Sequence, residues 1–308
     1  MLSSKFIAAL GLLLGSASFV FAQGTDCDKR EIVVNARDKQ GKFLPLQVSD
    51  LRAKFGKRDA AILSVTRRVS APRVVILLDK SGSMADEVKT RALQYISSEL
   101  VRSMPGPAQF AVVVFAGKIL DTLDFGHSRG EVLAAIDRAG NFPNLGGTVL
   151  RDALLRASDL FGTTQMGDAV VIFSDGGDNH SKTSQRDMEY SYWSKGIRAF
   201  PFIFIDSVLA TPEETYGSDE FAALARVTGG SVGIIFPREV DLKDIPSVVR
   251  QLEDVLSRYY VVQIHLPEPD RNGASLQLEL IDVAGQKRKD LNLGFPSKPA
   301  ACSQPSTR

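Results

Sequence analysis

The sequence predicts an α/β fold: a mostly parallel sheet with helices on both faces, inserted into a small β-sandwich formed by the N- and C-terminal flanks. Three observations predict it. Near-continuous apolar runs at Val74–Leu78, Ala111–Phe115, Ala169–Phe173, Phe200–Ile205 and Val232–Phe236 have the composition of strands covered on both faces. Segments with helical spacing of apolar residues separate them, which is the alternation of an α/β domain. The outer segments alternate apolar and polar residues with period two, as half-exposed antiparallel strands do.

Taken in order, residues 1–22 read as a signal peptide. Lys5 supplies the positive start, Ile7 to Leu14 a short apolar core, and Val20-Phe21-Ala22 small residues before a cut. The core is shorter than the ~20 apolar residues of a spanning helix. The expected product is soluble and exported, periplasmic or secreted, with no membrane span in the mature chain. Residues 23–72 form the first part of the sandwich: Ile32-Val33-Val34 as a strand, Asp38-Lys39-Gln40-Gly41-Lys42 as a turn, and Ile62 to Val69 as a second strand.

Residues 73–258 are the α/β domain. Val88, Ala92, Ile96 and Leu100 mark a helix that stops before Pro105-Gly106-Pro107. Ile119 to Phe125 is more polar, follows a Gly117-Lys118 turn, and reads as an antiparallel edge strand. Leu150, Leu154, Ala157 and Phe161 mark a helix opened by Leu145-Gly146-Gly147-Thr148. Pro201 removes a donor from its strand, which is tolerable at the strand's first residues. Gly229-Gly230-Ser231-Val232-Gly233 precedes a strand, so it reads as a helix-ending turn and not as a phosphate loop. Ile245, Val248, Val249, Leu252, Val255, Leu256 and Tyr259 mark the last helix. Residues 259–297 return to the sandwich, with Tyr260, Val262, Ile264 and Leu266, then Leu276, Leu278 and Leu280, on one face; 298–308 is a tail.

The chain has 308 residues, 44% of them apolar, and a net charge of +1. It contains no basic run, which excludes nucleic acid as the main partner. Its two cysteines, Cys27 and Cys302, predict a disulfide in an oxidising compartment; two unpaired thiols on loose tails are the alternative.

The chemistry concentrates at strand ends. Asp79-Lys80-Ser81-Gly82-Ser83 follows the first buried strand, Thr148 starts a helix, and Asp175 follows the buried run ending at Phe173. Ligands of open α/β sheets bind at that edge. Two carboxylates and three hydroxyls suit a hard divalent cation such as Mg²⁺. Asp79, Ser81, Ser83, Thr148 and Asp175 are therefore the expected metal ligands. Asp178 and Lys80 are candidates for the ligand rim, with helix capping and a plain surface lysine as the alternatives. Tyr190, Tyr192 and Trp193 read mostly as packing, with one ring available to rim a surface.

These five residues, in this order and context, resemble the metal-ion-dependent adhesion site (MIDAS) of von Willebrand factor A (VWA) domains, as in integrin I domains. The resemblance implies a VWA/Rossmann-like fold, a bound Mg²⁺ (or Mn²⁺ or Ca²⁺), and a protein partner whose Asp or Glu completes the coordination. It also implies a last helix that shifts on ligand binding. The order of elements further resembles bacterial "VWFA-related" proteins described from acidobacteria. That likeness rests on Val33 to Gly41, Asp50-Leu51 with Gly56-Lys57, and Arg258-Tyr259-Tyr260.

The expected function is thus metal-dependent protein binding without catalysis. The rivals are a hydrolase using the Ser81/Ser83 loop, with His180 as its base, and a structural envelope protein with a vestigial metal site. Neither serine lies in Gly-x-Ser-x-Gly.

Overall fold

The computed structural model describes residues 28–144, 146–205, 212–236, 245–267 and 274–300, with the backbone alone for 212–216. The signal peptide, Leu145, Cys27 and Cys302, and with them the disulfide, lie outside the described residues.

The N-terminal flank gives β1 (Lys29–Asp38), β2 (Leu51–Phe55) and β3 (Arg58–Val69). The turn after β1 closes as predicted, with the Gln40 and Lys42 amides donating to the Asp38 carboxylate. The inserted domain runs β4 (Arg73–Asp79), α1 (Glu87–Ser103), β5 (Gln109–Phe115), β6 (Ile119–Leu123), α2 (Arg129–Asn141), α3 (Leu150–Leu160), β7 (Ala169–Ser174), α4 (Gln185–Lys195), β8 (Arg198–Phe204), α5 (Pro212–Thr228), β9 (Gly233–Ile235) and α6 (Ile245–Ser257). The chain returns through β10 (Arg258–His265), β11 (Leu276–Leu280) and β12 (Leu291–Gly294).

The inserted domain's sheet has the order β6-β5-β4-β7-β8-β9. All its pairings are parallel except β5 with β6, the edge strand that polarity predicts. Alternate residues of each central strand serve opposite faces. Ile76, Leu78 and Val112 meet α1, α2 and α6 on one side, and Leu77, Val113 and Ile172 meet α3, α4 and α5 on the other. Such two-sided burial is why these strands read as unbroken apolar runs. Pro201 stands at the fourth position of β8, not among its first residues. Pairing with β9 begins only at Phe202, so on that side Pro201 has no ladder partner.

Helix α1 departs from its predicted face. Val88 is 44% exposed, whereas Lys89 is 4% exposed and lines up with Ala92, Leu93, Ile96 and Leu100. Among the aromatics of α4, Tyr192 is buried with its hydroxyl donating to the Leu154 carbonyl, and Tyr190 is exposed, edge-on to Trp193. The glycines after α5 end that helix, as expected: Gly229 adopts φ +77° and the Gly230 amide reaches back to the Ala225 carbonyl.

The flanks join in one antiparallel module, and it is a single six-stranded sheet in the order β11-β2-β3-β10-β1-β12. The sheet curls around one apolar core containing Val34, Phe55, Val262 and Leu278. Its two ends come together where the Leu276 amide of β11 donates at 2.7 Å to the carbonyl of Ser297, just past β12. The inserted domain leaves from β3 and returns into β10, and these neighbours pair from Val69 with Arg258 onward.

The seam between the modules is polar and buried. Arg198 is 1% exposed, and its guanidinium donates to the carbonyls of Gly167, Val255 and Leu256, the last two at the C-terminus of α6. A cation there satisfies carbonyls the helix cannot and opposes the negative end of its dipole. The guanidinium also lies over the Tyr259 ring, whose hydroxyl donates to the Met166 carbonyl. Burial pulls Arg198 down to about 10, so it stays charged at neutral pH. Arg198→Met leaves those carbonyls without their donor and is expected to cost about 3 kcal/mol. At this chain length that lowers Tm by roughly 5 °C in calorimetry. An unchanged Tm would mean the helix end does not depend on this residue.

Candidate metal centre

In the central sheet β4 and β7 pair in parallel from Val74 with Ala169 to Leu78 with Phe173. One rung further stand Asp79 and Ser174, and Asp175 follows. The strand order reverses here: β4 leads to β5 on one side, and β7 lies on the other. This is the crevice where open sheets place ligands.

Both oxygens of Asp79 are held. The Ser81 amide donates to one at 2.8 Å, and the Ser174 hydroxyl to the other at 2.6 Å. The hydroxyls of Ser81 and Ser83 lie 3.2 Å apart at the start of a 3-10 turn, Gly82–Met84. The Gly82 amide donates to the Gly146 carbonyl, which ties this turn to the loop carrying Thr148. Thr148 is clamped in turn: its amide donates to Asn179 Oδ1 at 2.8 Å, and its carbonyl accepts from the Asn179 and His180 amides. A glycine stands beside this clamp: a Cβ on Gly147 would fall 2.1 Å from His180 Nδ1 and 2.6 Å from Asn179 Oδ1, so a larger residue displaces the side chains that form it. Only glycine fits where α5 crosses the Asp175 loop, since a Cβ on Gly217 would fall 1.7 Å from the Gly176 carbonyl oxygen. Hydrogen bonds thus join three loops at one sheet edge.

Of the five predicted ligands, Asp79, Ser81, Thr148 and Asp175 are buried and Ser83 is exposed. Asp178 serves as a cap, though of α3 and not of the next helix: its carboxylate accepts from the amides of Arg151 and Ser181. Lys80 is corrected from the rim, and from the surface, to the interior. It is 2% exposed, its amide donates to the Phe115 carbonyl, and burial lowers its pKa. His180 Nδ1 lies 2.6 Å from Asn179 Oδ1, and among the described residues no hydrogen bond links it to Ser81 or Ser83.

The electrostatics are those of two carboxylates with little water. Burial first, and then the charge of Asp175, push Asp79 up to about 7, against the pull of hydrogen bonds from Ser174 and Ser81. Asp175 meets a cation: Lys89 Nζ lies 3.3 Å from its Oδ2 and 3.0 Å from the Ser83 carbonyl. The other oxygen, Oδ1, is buried with no hydrogen-bond partner among the described residues. Such an orphan is costly, and its presence in a folded protein calls for a reason. A divalent cation supplies one. Among the described residues no three His, Cys, Asp or Glu side chains cluster to hold a metal. The donor set here is two carboxylates with hydroxyls, all oxygen, and it fits Mg²⁺ or another hard ion.

Three residues of this centre escape the sequence reading: Lys89, Ser174 and Asn179. The signal for Lys89 is its spacing, three and four residues before Ala92 and Leu93. That places a lysine on the buried stripe.

Residues 74–177 match the family model for the von Willebrand factor type A domain, so the chain carries such a domain across them. No curated protein matches the chain. Among solved structures it is similar to a von Willebrand factor type A protein from Catenulispora acidiphila, with 17% identity, 89% of this chain and 74% of that chain covered, and a TM-score of 0.46. It is similar also to the conserved hypothetical protein BatB from Bacteroides thetaiotaomicron, at 15% identity over 59% of this chain and 98% of that one, with a TM-score of 0.46. Proximal thread matrix protein 1 from the mussel byssus is similar at 17% identity, 66% and 51% coverage, and a TM-score of 0.49.

In metal-free protein, Asp79 takes up its proton near pH 7 when folded and near pH 4 when unfolded. Between those values the folded state binds more protons. The stability linked to this group is therefore full below about pH 4 and is lost as pH rises through about 7. Thermal melts in EDTA are expected to show that fall in the wild type and a flatter profile in Asp79→Asn, with the variant the more stable above neutral pH. Parallel profiles would remove Asp79 as the titrating group.

Proposed function

We propose that this is an exported protein-binding module that captures an acidic residue of its partner through a divalent cation, without catalysing a reaction. VWA domains commonly act as protein-interaction modules. One observation carries the metal-dependent reading: the buried, unpartnered Oδ1 of Asp175 beside a second buried carboxylate, Asp79, and a set of serine and threonine hydroxyls.

Asp79, Ser81, Ser83, Thr148 and Asp175 would hold the ion. When bound, Mg²⁺ supplies a Lewis-acidic position that prefers a carboxylate to a neutral oxygen. The residues of the chain do the rest. Ser174 and the Ser81 amide fix the Asp79 carboxylate, and the Asn179 clamp fixes Thr148. Ser83 is exposed, and a partner side chain would meet it before the buried set. Export rests on the leader at residues 1–22, and a periplasmic or secreted location follows from it. No helix among the described residues is long and apolar enough to cross a membrane.

Calorimetric titration with Mg²⁺ tests the site. Binding is expected in the wild type and is lost in Asp79→Ala; equal binding by both would refute the ligand assignment. At a hundredfold excess over Kd, bound metal adds about 2.7 kcal/mol to stability. A partner recovered from envelope extract should be released by EDTA and should fail to bind Ser81→Ala or Ser83→Ala. Recovery unaffected by EDTA would leave a binding module that does not use the metal.

A further inference from the structure

Lys89 lies inside the centre. Its side chain is 5% exposed, and its ammonium donates to Asp175 Oδ2 and to the Ser83 carbonyl. It therefore bridges two of the three metal-bearing loops from the first turn of α1. A lysine that merely lay along the helix would keep its ammonium in water; this one is held by a carboxylate and a carbonyl at the bottom of the site.

We infer that Lys89 is a resident cation of the site, one that holds the carboxylate pair together without a divalent ion and weakens the site's affinity for the ion alone. This rests on the metal-dependent reading above. The formal charges explain both halves. The Lys89 ammonium beside Asp175, with the buried Lys80 next to Asp79, offsets the two carboxylates, so the pair is tolerable in the interior without metal. The ammonium opposes part of the carboxylates' attraction for a divalent ion, and the positive charge left once the ion has joined favours an anionic ligand beside it. The ammonium occupies Asp175 Oδ2 and leaves Oδ1 as the oxygen free to coordinate. Lys89 is thus a positioning and charge-setting residue, not a metal ligand, and it matches the site to acidic partners.

The test is Mn²⁺ alone, titrated calorimetrically into the metal-free chain as wild type, Lys89→Met and Lys89→Arg, with Asp175→Asn as control. Lys89→Met keeps the length and removes the charge. It should bind Mn²⁺ roughly tenfold more tightly or better, because a unit charge a few ångströms from a divalent ion at an effective dielectric of about 20 is worth at least that factor. In EDTA it should melt lower than the wild type, with the difference abolished by Mn²⁺. Lys89→Arg should keep the wild-type affinity, and Asp175→Asn should lose binding. A purely structural lysine predicts the opposite sign, with Lys89→Met binding no tighter than the wild type, and that result overturns the inference while leaving the metal site standing. If neither the folded wild type nor folded Lys89→Met binds Mn²⁺, the metal-dependent reading fails and takes this inference with it. Should Lys89→Met fold only when Mn²⁺ is present, the ion has replaced the lysine's charge, as expected. Should it not fold even then, Lys89→Gln, neutral and still a donor for the Ser83 carbonyl, is titrated in its place and read by the same signs.

Discussion

The parallel pairing of β4 with β7 is the constraint around which the rest is arranged. It sets two strands side by side at the point where the sheet reverses its order, and each delivers a carboxylate to the same buried edge. Two such groups cannot lie there bare. Ser174 and the Ser81 amide hold Asp79, Lys89 holds Asp175, and glycines at 147 and 217 let loops and helix α5 close over the pair. The strands themselves need only be apolar. The polar detail is confined to their ends, which is how one sheet can be both a core and a platform.

The central strands were legible because burial on both faces writes itself into composition, as at Val74–Leu78 and Ala169–Phe173. The five oxygen donors were legible because their spacing places them at strand ends and a helix start. Other residues were not, for physical reasons. Helix α1 has apolar residues on more than one face, so spacing alone favours Val88 for the inner stripe that Lys89 occupies. Strand β2 is short and carries Arg52 and Lys54 on its outer face, and only its pairing with β3 and β11 makes it a strand. Ser174 looks like any strand-ending serine until Asp79 is set across from it. Arg198 reads as the polar start of a strand, and its burial depends on where α6 ends.

Helix α6 joins the two modules without a linker: its last residue, Ser257, is followed at once by β10. The Ser257 carbonyl accepts from the Ser70 amide, and Arg198 holds the carbonyls just before it. Axial movement of this helix would have to break those bonds or drag β10 along, and β10 is bonded on both sides in its own sheet. Any ligand-driven shift of α6 therefore reaches the flanking sheet as strain at Arg258, not as free swing of a domain.

The pairing of Val69 with Arg258 has a consequence of another kind. Because the inserted domain enters and leaves through one rung of an antiparallel ladder, its two ends are neighbours in space. The flanking sheet sees the insertion as an overgrown hairpin loop between β3 and β10. Closing such a loop costs little more entropy when it is long than when it is short. The architecture is accordingly open to exchange: a different domain with close-set termini can occupy the same gap, and the host sheet keeps its register.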